Sequence, residues 1–498
     1  MDRKERLGSL DMPIEELRER LYDAVDMAVG LYDGVEQKKL FASNSPEEVK
    51  ALFDEPLPSS PSDIGALLRR VERDVFKHST LNISPNFYAY VVSGGNHAGL
   101  IAELLASALN QNPGKWNLGA AAVELELRVV RWIAEFIGYD PAAAGVLVSG
   151  GSAANLTCLK AARDFKAGFE IQKKGSRAGA PLTMYVSTEG HSCLAKSADM
   201  LGLGKESLRK IPVNEDFTID LEQLERTIAE DKSAGFVPFC VIGNGGTVNT
   251  GAVDPLALLA GIALRHNMWF HVDAAYGGPA ASTESGRELF AGLKLADSIA
   301  TDAHKWLYAP YEAGVALVKD REALRSSFTV SADYLRDIDS TGRHDSTEYN
   351  FELSRNFKAL KVWMAFKTYG AGKIRAAIED NIQTIGHLGK LIKESPDFEL
   401  LAPVSLSIAC FRYRTGDPQF WNDDEYLSLL NKRILVESER DGRVFLSGTV
   451  IHGKQALRTC LVNHRTETGH VEYLVRILRE VGQSVHTELH RVQQEVAT

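Results

Sequence analysis

The sequence predicts an α/β fold with a mostly parallel central sheet, flanked by a helical N-terminal arm and a small α+β C-terminal domain. Three textures predict this. Between about 86 and 370, short apolar runs alternate with helical patterns; before 86 the chain is helical and broken by prolines; after 371 a helical pattern gives way to scattered strand candidates. Uniformly apolar runs separated by helices mark strands buried on both faces, which is how parallel sheets are built. A chain of 498 residues has room for two or three domains and a core that needs no disulfide or metal.

Residues 1–85 read as the arm. Asp11 is placed to cap a helix over 11–40, Pro13 fits its first turn, and Ile14, Leu17, Leu21 and Val25 recur at helical spacing. Pro56, Pro58 and Pro61 then break the chain, and a second amphipathic segment runs over 63–76. In the large domain (86–370), strands are predicted at 145–148, 182–186, 237–242, 269–272, 298–300 and 315–318, with a helix near 357–369. The small domain (371–498) begins helical and offers strands at 406–413, 444–446 and 456–463.

Charge removes several function classes. Fifty-six basic residues stand against 66 acidic ones, a net charge of −10, and no Lys/Arg block supplies a grip on nucleic acid or an anionic membrane. The mixed-charge N-terminus is not a secretory signal, and no apolar run reaches the ~20 residues of a membrane span. Five scattered cysteines (158, 193, 240, 410 and 460) suit reduced thiols in a cytoplasm. Cys193 follows His191 by two residues, but nothing nearby marks an oxyanion hole, so a small buried thiol is expected. His486 and His490 share a helical face, yet Glu488 is misplaced for a zinc-protease pattern and no third ligand appears. A solvated C-terminal helix, and no metal, is expected there.

Three loops follow strand-like runs, and ligands of open parallel sheets bind at the strands' carboxyl ends. In Val148-Ser149-Gly150-Gly151-Ser152-Ala153-Ala154-Asn155, glycines and a serine open a helix and offer N–H groups and a hydroxyl to an anion. The loop lacks the lysine of a P-loop and the spacing of a dinucleotide fingerprint; a simple tight turn is the competing reading. In His271-Val272-Asp273-Ala274-Ala275-Tyr276, an apolar run delivers a carboxylate to the sheet edge, unless Asp273 merely caps a helix. In Thr301-Asp302-Ala303-His304-Lys305-Trp306, a lysine sits among Ala, His and Trp, where desolvation would free a neutral amine to attack a carbonyl. Singly, each is ordinary. Together, an anion cradle, a strand-end Asp and a reactive Lys are the parts that hold pyridoxal phosphate.

With these motifs the chain resembles the group II pyridoxal-phosphate decarboxylases, which include aromatic-amino-acid, histidine and glutamate decarboxylases. The resemblance is strong over 85–363, and the segments 271–276 and 304–307 are highly specific for it. It implies the fold type I, aspartate-aminotransferase-like architecture, and a homodimer with its active sites at the subunit interface. By resemblance, Lys305 is the Schiff-base lysine, Asp273 the partner of the pyridine nitrogen, Ala275 the residue under the ring and His191 the histidine stacked on its other face. Ser152 and Ala153 would meet the phosphate, with Asp302 and His304 beside them, and Thr247 belongs to a loop next to the cofactor. The threonine usual after it in animal aromatic enzymes is Val248 here.

Residues 328–351 are expected to form a loop, in which Tyr334 matches the family's proton donor; a packing anchor is the alternative. Tyr334 and His191 together favour a decarboxylase over aldehyde synthases, which often replace one of them. For the substrate, Tyr90, Ser93 and Ser354 match pocket positions. Ile83 replaces a histidine of the animal enzymes, and Asn110-Gln111-Asn112 stand where those enzymes enclose an aromatic ring. An aromatic L-amino acid is the leading expectation. The rivals are a pyridoxal-phosphate aldehyde synthase or aminotransferase, and a cofactor-binding protein whose chemistry has decayed. Intact Lys305, Asp273, His191 and Tyr334 speak against decay.

Overall fold

The computed structural model describes residues 10–42, 44–330 and 342–497. The arm opens with α1 (Ile14–Tyr32), which buries none of its residues. It begins after Pro13 with no side-chain cap, so Asp11 does not cap it, and it stops well short of residue 40. Asp63 does cap the next segment, accepting from the Ala66 N–H at 2.7 Å. Helices α2 (His97–Leu109) and α3 (Ala120–Phe136) follow.

The central sheet has seven strands: β1 (Ala144–Val148), β2 (Leu182–Ser187), β3 (Leu208–Ile211), β4 (Val237–Asn244), β5 (Trp269–Asp273), β6 (Ser298–Asp302) and β7 (Gly314–Val318), in the order β1-β7-β6-β5-β4-β2-β3. All six predicted runs are strands of this sheet. β1, β2, β5, β6 and β7 are buried at every position, as sheet faces covered on both sides require. Only β7 runs against its neighbours; the pairs from β6 to β3 are parallel. Two apolar cores cover the two faces, one containing Val129, Ile133 and Phe270, the other Ala154, Leu159 and Leu194. On the second face lies α4 (Gly151–Lys166), directly after β1, and after β2 comes α5 (Ser192–Met200).

Helix α6 (Ala359–Glu394) breaks at Gly370, whose φ of 72° is left-handed. Beyond it lies a four-stranded antiparallel sheet, β8 (Phe398–Leu400), β9 (Ile408–Tyr413), β10 (Ser447–Ile451) and β11 (Lys454–Cys460), ordered β10-β11-β9-β8 and packed with α7 (Asp424–Asp441) and α8 (Thr468–Ala497). The strand expected at 444–446 is displaced: Val444 and Leu446 are buried plugs, and the strand itself starts at Ser447. Tyr276, three residues after β5, reaches across to Ser407 with a 2.5 Å hydroxyl–hydroxyl bond, tying the two sheets together.

Candidate active site

At the carboxyl ends of β4, β5 and β6 the chain encloses a cavity of about 200 Å³. It is lined by Ser152, His191, Thr247, Asp273, Ala275, Asp302, His304 and Lys305, eight of the nine residues expected around the cofactor. Parallel strands deliver these side chains to one edge because all of them end on the same side. The ninth, Ala153, does not line it: its methyl packs against the core beneath α4.

The anion cradle forms where β1 meets β7. A Cβ on Gly314 would lie 2.5 Å from the backbone of Gly150, so that strand position must be glycine for the loop to seat. A Cβ on Gly151 would lie 2.9 Å from both Ala275 Cβ and Asp302 Oδ2. The first turn of α4 thereby stands directly over the ends of β5 and β6, with Ser152 exposed at its start.

Asp273, 8% exposed, ends β5 and accepts from the Ala275 N–H at 3.2 Å. No helix follows directly, so this aspartate is not a helix cap. Lys305 Nζ lies 2.9 Å from Asp302 Oδ2, with the lysine side chain 21% exposed and the aspartate 1%. Burial pulls the Lys305 amine down, but the Asp302 charge, the Asp302 hydrogen bond and the Asp273 charge outweigh it and hold the lysine above its ordinary value. The sequence expectation of a lysine made neutral by desolvation is therefore not met in this state, because a buried carboxylate compensates it. His304 accepts from the Ala313 N–H through Nδ1 at 3.1 Å and is held low by burial. His191 caps α5, its Nδ1 accepting from the Cys193 N–H at 3.2 Å, and burial keeps it low as well. Its structural and site placements coincide. Cys193 is a buried thiol pushed up to about 12 by burial, an inert group as expected.

Behind the cavity lies a hydrogen-bonded line that sequence reasoning missed. Asn155 Nδ2 donates to the Gly151 carbonyl at 2.8 Å, so its Oδ1, 2.7 Å from His271 Nε2, must accept from that nitrogen. Ser298 Oγ accepts from Trp269 Nε1 at 2.8 Å and turns its own proton to His271 Nδ1, also at 2.8 Å. His271 is thus a neutral Nε2–H tautomer, and burial takes it down to about 4. The chain fastens the cradle helix to the strand that carries Asp273. Asn155, four residues after Gly151 on the same helical face, was recoverable from spacing alone. So was Asn244, which ends β4 directly opposite Asp273.

The expected substrate positions lie elsewhere in this chain. Tyr90 is 61% exposed with a left-handed φ of 57°, Ser93 is buried and accepts from the Gly95 N–H, and Ser354 is exposed; none lines the cavity. Of the amides at 110–112, Asn110 is the left-handed C-cap of α2, and Asn112 Oδ1 accepts from the Gly114 and Arg355 N–H groups. Tyr334 lies outside the described residues. His486, expected on a solvated helix, instead bonds the Tyr426 hydroxyl at 2.6 Å. Among the described residues no three His, Cys, Asp or Glu side chains gather as a metal site, and no helix is long and apolar enough to cross a membrane.

The donor set fits pyridoxal phosphate. A helix N-terminus with a serine suits its phosphate, a strand-end carboxylate its ring nitrogen, a small alanine its flat ring and a lysine its aldehyde.

Comparison with known proteins agrees. Residues 46–414 match the pyridoxal-dependent decarboxylase conserved domain. An aromatic-L-amino-acid decarboxylase of Bacillus atrophaeus is 32% identical over 479 residues, covering 96% of this chain and 98% of that protein. A phenylacetaldehyde synthase of Arabidopsis thaliana is 29% identical, covering 94% of this chain and 96% of that protein. Among solved structures, Oryza sativa TDC with PLP and tryptamine superposes with a TM-score of 0.90 at 26% identity, covering 96% of this chain and 99% of that one. With the fold type I architecture, the matched domain and a cavity of the right chemistry, the chain belongs to the pyridoxal-dependent decarboxylase family and is a pyridoxal-phosphate-dependent amino-acid decarboxylase, a carboxy-lyase.

Proposed function

We propose that the substrate is an aromatic L-amino acid, converted to its amine and carbon dioxide with Lys305 as the amine that takes up the cofactor. The observation that carries this reading is the convergence of Lys305, Asp273 and the start of α4 on one cavity. When bound, pyridoxal phosphate supplies an aldehyde that captures amines and a protonated ring that accepts the electron pair left by departing carbon dioxide. Ser152 and the free N–H groups of α4 would hold the phosphate, with His304 and Thr247 alongside. Asp273 keeps a proton on the ring nitrogen, an electrostatic effect that is strong because its carboxylate is nearly shielded from water. Ala275 and His191, which line the same cavity, would bound the ring. Tyr334 would be the residue that supplies a proton at the substrate's α-carbon.

The names of the relatives support an aromatic substrate, and the likeness to a phenylacetaldehyde synthase favours aldehyde formation as the second reading. Both are tested by mass spectrometry of products after the cofactor-loaded protein meets pooled L-amino acids. An amine lighter than an aromatic substrate by one carbon dioxide is expected. An aldehyde with ammonia establishes the second reading, and an amine from a non-aromatic acid overturns the substrate assignment.

We also propose that two copies pair across the arm, with the exposed Tyr90 and Ser354 serving the substrate from that interface. Ile14, Leu17, Leu21, Val25 and Val29 of α1 are exposed, as are Leu100, Ile101 and Leu104 of α2, and apolar surface this extensive calls for a partner. Five free, buried cysteines suit a cytoplasmic location. The three-part division at 85/86 and 370/371 belongs to the same reading.

A further inference from the structure

Asp302 is an odd neighbour for an anion cradle. It ends β6, is 1% exposed, and stands where a Cβ on Gly151 would lie 2.9 Å from its Oδ2. A carboxylate so close to the start of α4 repels a phosphate held there. Its two oxygens differ: Oδ2 is 2.9 Å from Lys305 Nζ and 3.8 Å from His304 Nε2, whereas Oδ1 is buried without a hydrogen-bond partner among the described residues. Among the described residues, the one strong contact of this costly carboxylate is therefore the lysine.

We propose that Asp302 is a latch on Lys305, holding it as an ammonium in the cofactor-free protein, so that capture of an aldehyde waits on the loss of that proton. The inference rests on Lys305 being the capturing amine. The ammonium gives one proton to solvent, the neutral nitrogen bonds to the aldehyde carbon, and the aldehyde oxygen leaves as water with two hydrogens. Every charged group facing the lysine bears on this balance. Asp302 and Asp273 at the ends of β6 and β5, and Tyr311 in the turn before β7, favour the ammonium. Burial opposes it and also keeps His191 and His304 low, so neither imidazole is a competing cation. Glu189 lines the same cavity but spends its carboxylate on Asn249 Nδ2 at 3.0 Å. Asp302 acts through Lys305 and is a positioning residue.

The test is trace acetylation of the full-length, cofactor-free protein from about pH 7 to 11, read on the Lys305 peptide by mass spectrometry. The wild-type Lys305 midpoint is expected above that of the exposed lysines in the same digest, and Asp302→Asn should lower it by about one pH unit or more. At about pH 8 the variant should then capture pyridoxal phosphate about tenfold faster, followed as the rise of its visible band. A wild-type midpoint at or below the exposed lysines overturns the latch even if the variant fails to fold. An unmoved midpoint or unchanged capture in a folded variant overturns it too. Borohydride fixation of the cofactor to a different lysine would instead overturn the assignment of Lys305, which the acetylation profile does not touch.

Discussion

Two hollows lie at opposite edges of the same seven-stranded sheet. The one at the amino end, beside the start of β5, is the larger at about 790 Å³, walled by Phe165, Leu264, Leu295 and Trp269. The one at the carboxyl end holds about 200 Å³. Charge tells them apart better than size. In the large hollow Asp297 accepts from the Phe270 N–H and Lys319 donates to the Lys294 carbonyl, so both serve the nearby backbone. In the small one Asp273, Asp302 and Lys305 point into shared space with a helix N-terminus beside them. A parallel sheet makes this asymmetry by construction, since the strands present the same end together and the helices that follow them start there. Convergent, partly unspent charge marks the chemistry; volume does not.

Substitutions at the two ends should differ by orders of magnitude. Lys305→Ala should abolish decarboxylation and the borohydride-fixable visible band while the thermal midpoint moves by only a few degrees. A surviving covalent band would erase the contrast at its strongest point. His271 lies between the two ends and should show a stability effect instead. Its folded form is neutral down to about pH 4, whereas the unfolded imidazole takes a proton near 6.5. The unfolded state thus binds more protons between those values, and stability must fall as pH drops from about 6.5 to 4, by up to about 3 kcal/mol from this group. Urea unfolding across that window should show the loss in the wild type and a flatter profile in His271→Gln. At the far end, Leu264 is 84% exposed, and Leu264→Ser should change stability by no more than about 0.5 kcal/mol and leave turnover alone. A loss of activity there would mean that the large hollow communicates with the small one.

What the sequence disclosed follows the same division between pattern and convergence. Strands buried on both faces were legible because their runs are mostly apolar or small, with polar exceptions such as His271 and the strand-end Asp273 and Asp302. β3 was not, because it is a sheet edge whose Arg209 and Lys210 break the run. Asp273, Lys305 and the Gly150–Ser152 turn stood out at the ends of apolar runs. The Asp302–Lys305 ion pair did not, since its 2.9 Å separation depends on a non-helical turn that spacing does not reveal. The buried pair of Arg355 with Glu126, at 2.5 Å, joins residues too far apart in sequence for any local signal. Tyr90, Ser93 and Ser354 match pocket positions of the family, and such a match carries no information on which side of a strand or subunit a residue ends up.

The placement of β1 also governs when the site can exist. β1 is at the sheet edge, paired only with β7, so Val148 waits for Gly314. On a ribosome adding roughly 5–20 residues per second, β1 emerges on the order of ten seconds or more before its sole neighbour. During that interval β2, β4, β5 and β6 can be made and can pair, yet the loop at Gly150–Ser152 has no strand to seat against. The turn at Gly150–Ser152 therefore cannot take its final seat before β7 is made, and a nascent chain shorter than about residue 318 lacks the full strand against which β1 pairs.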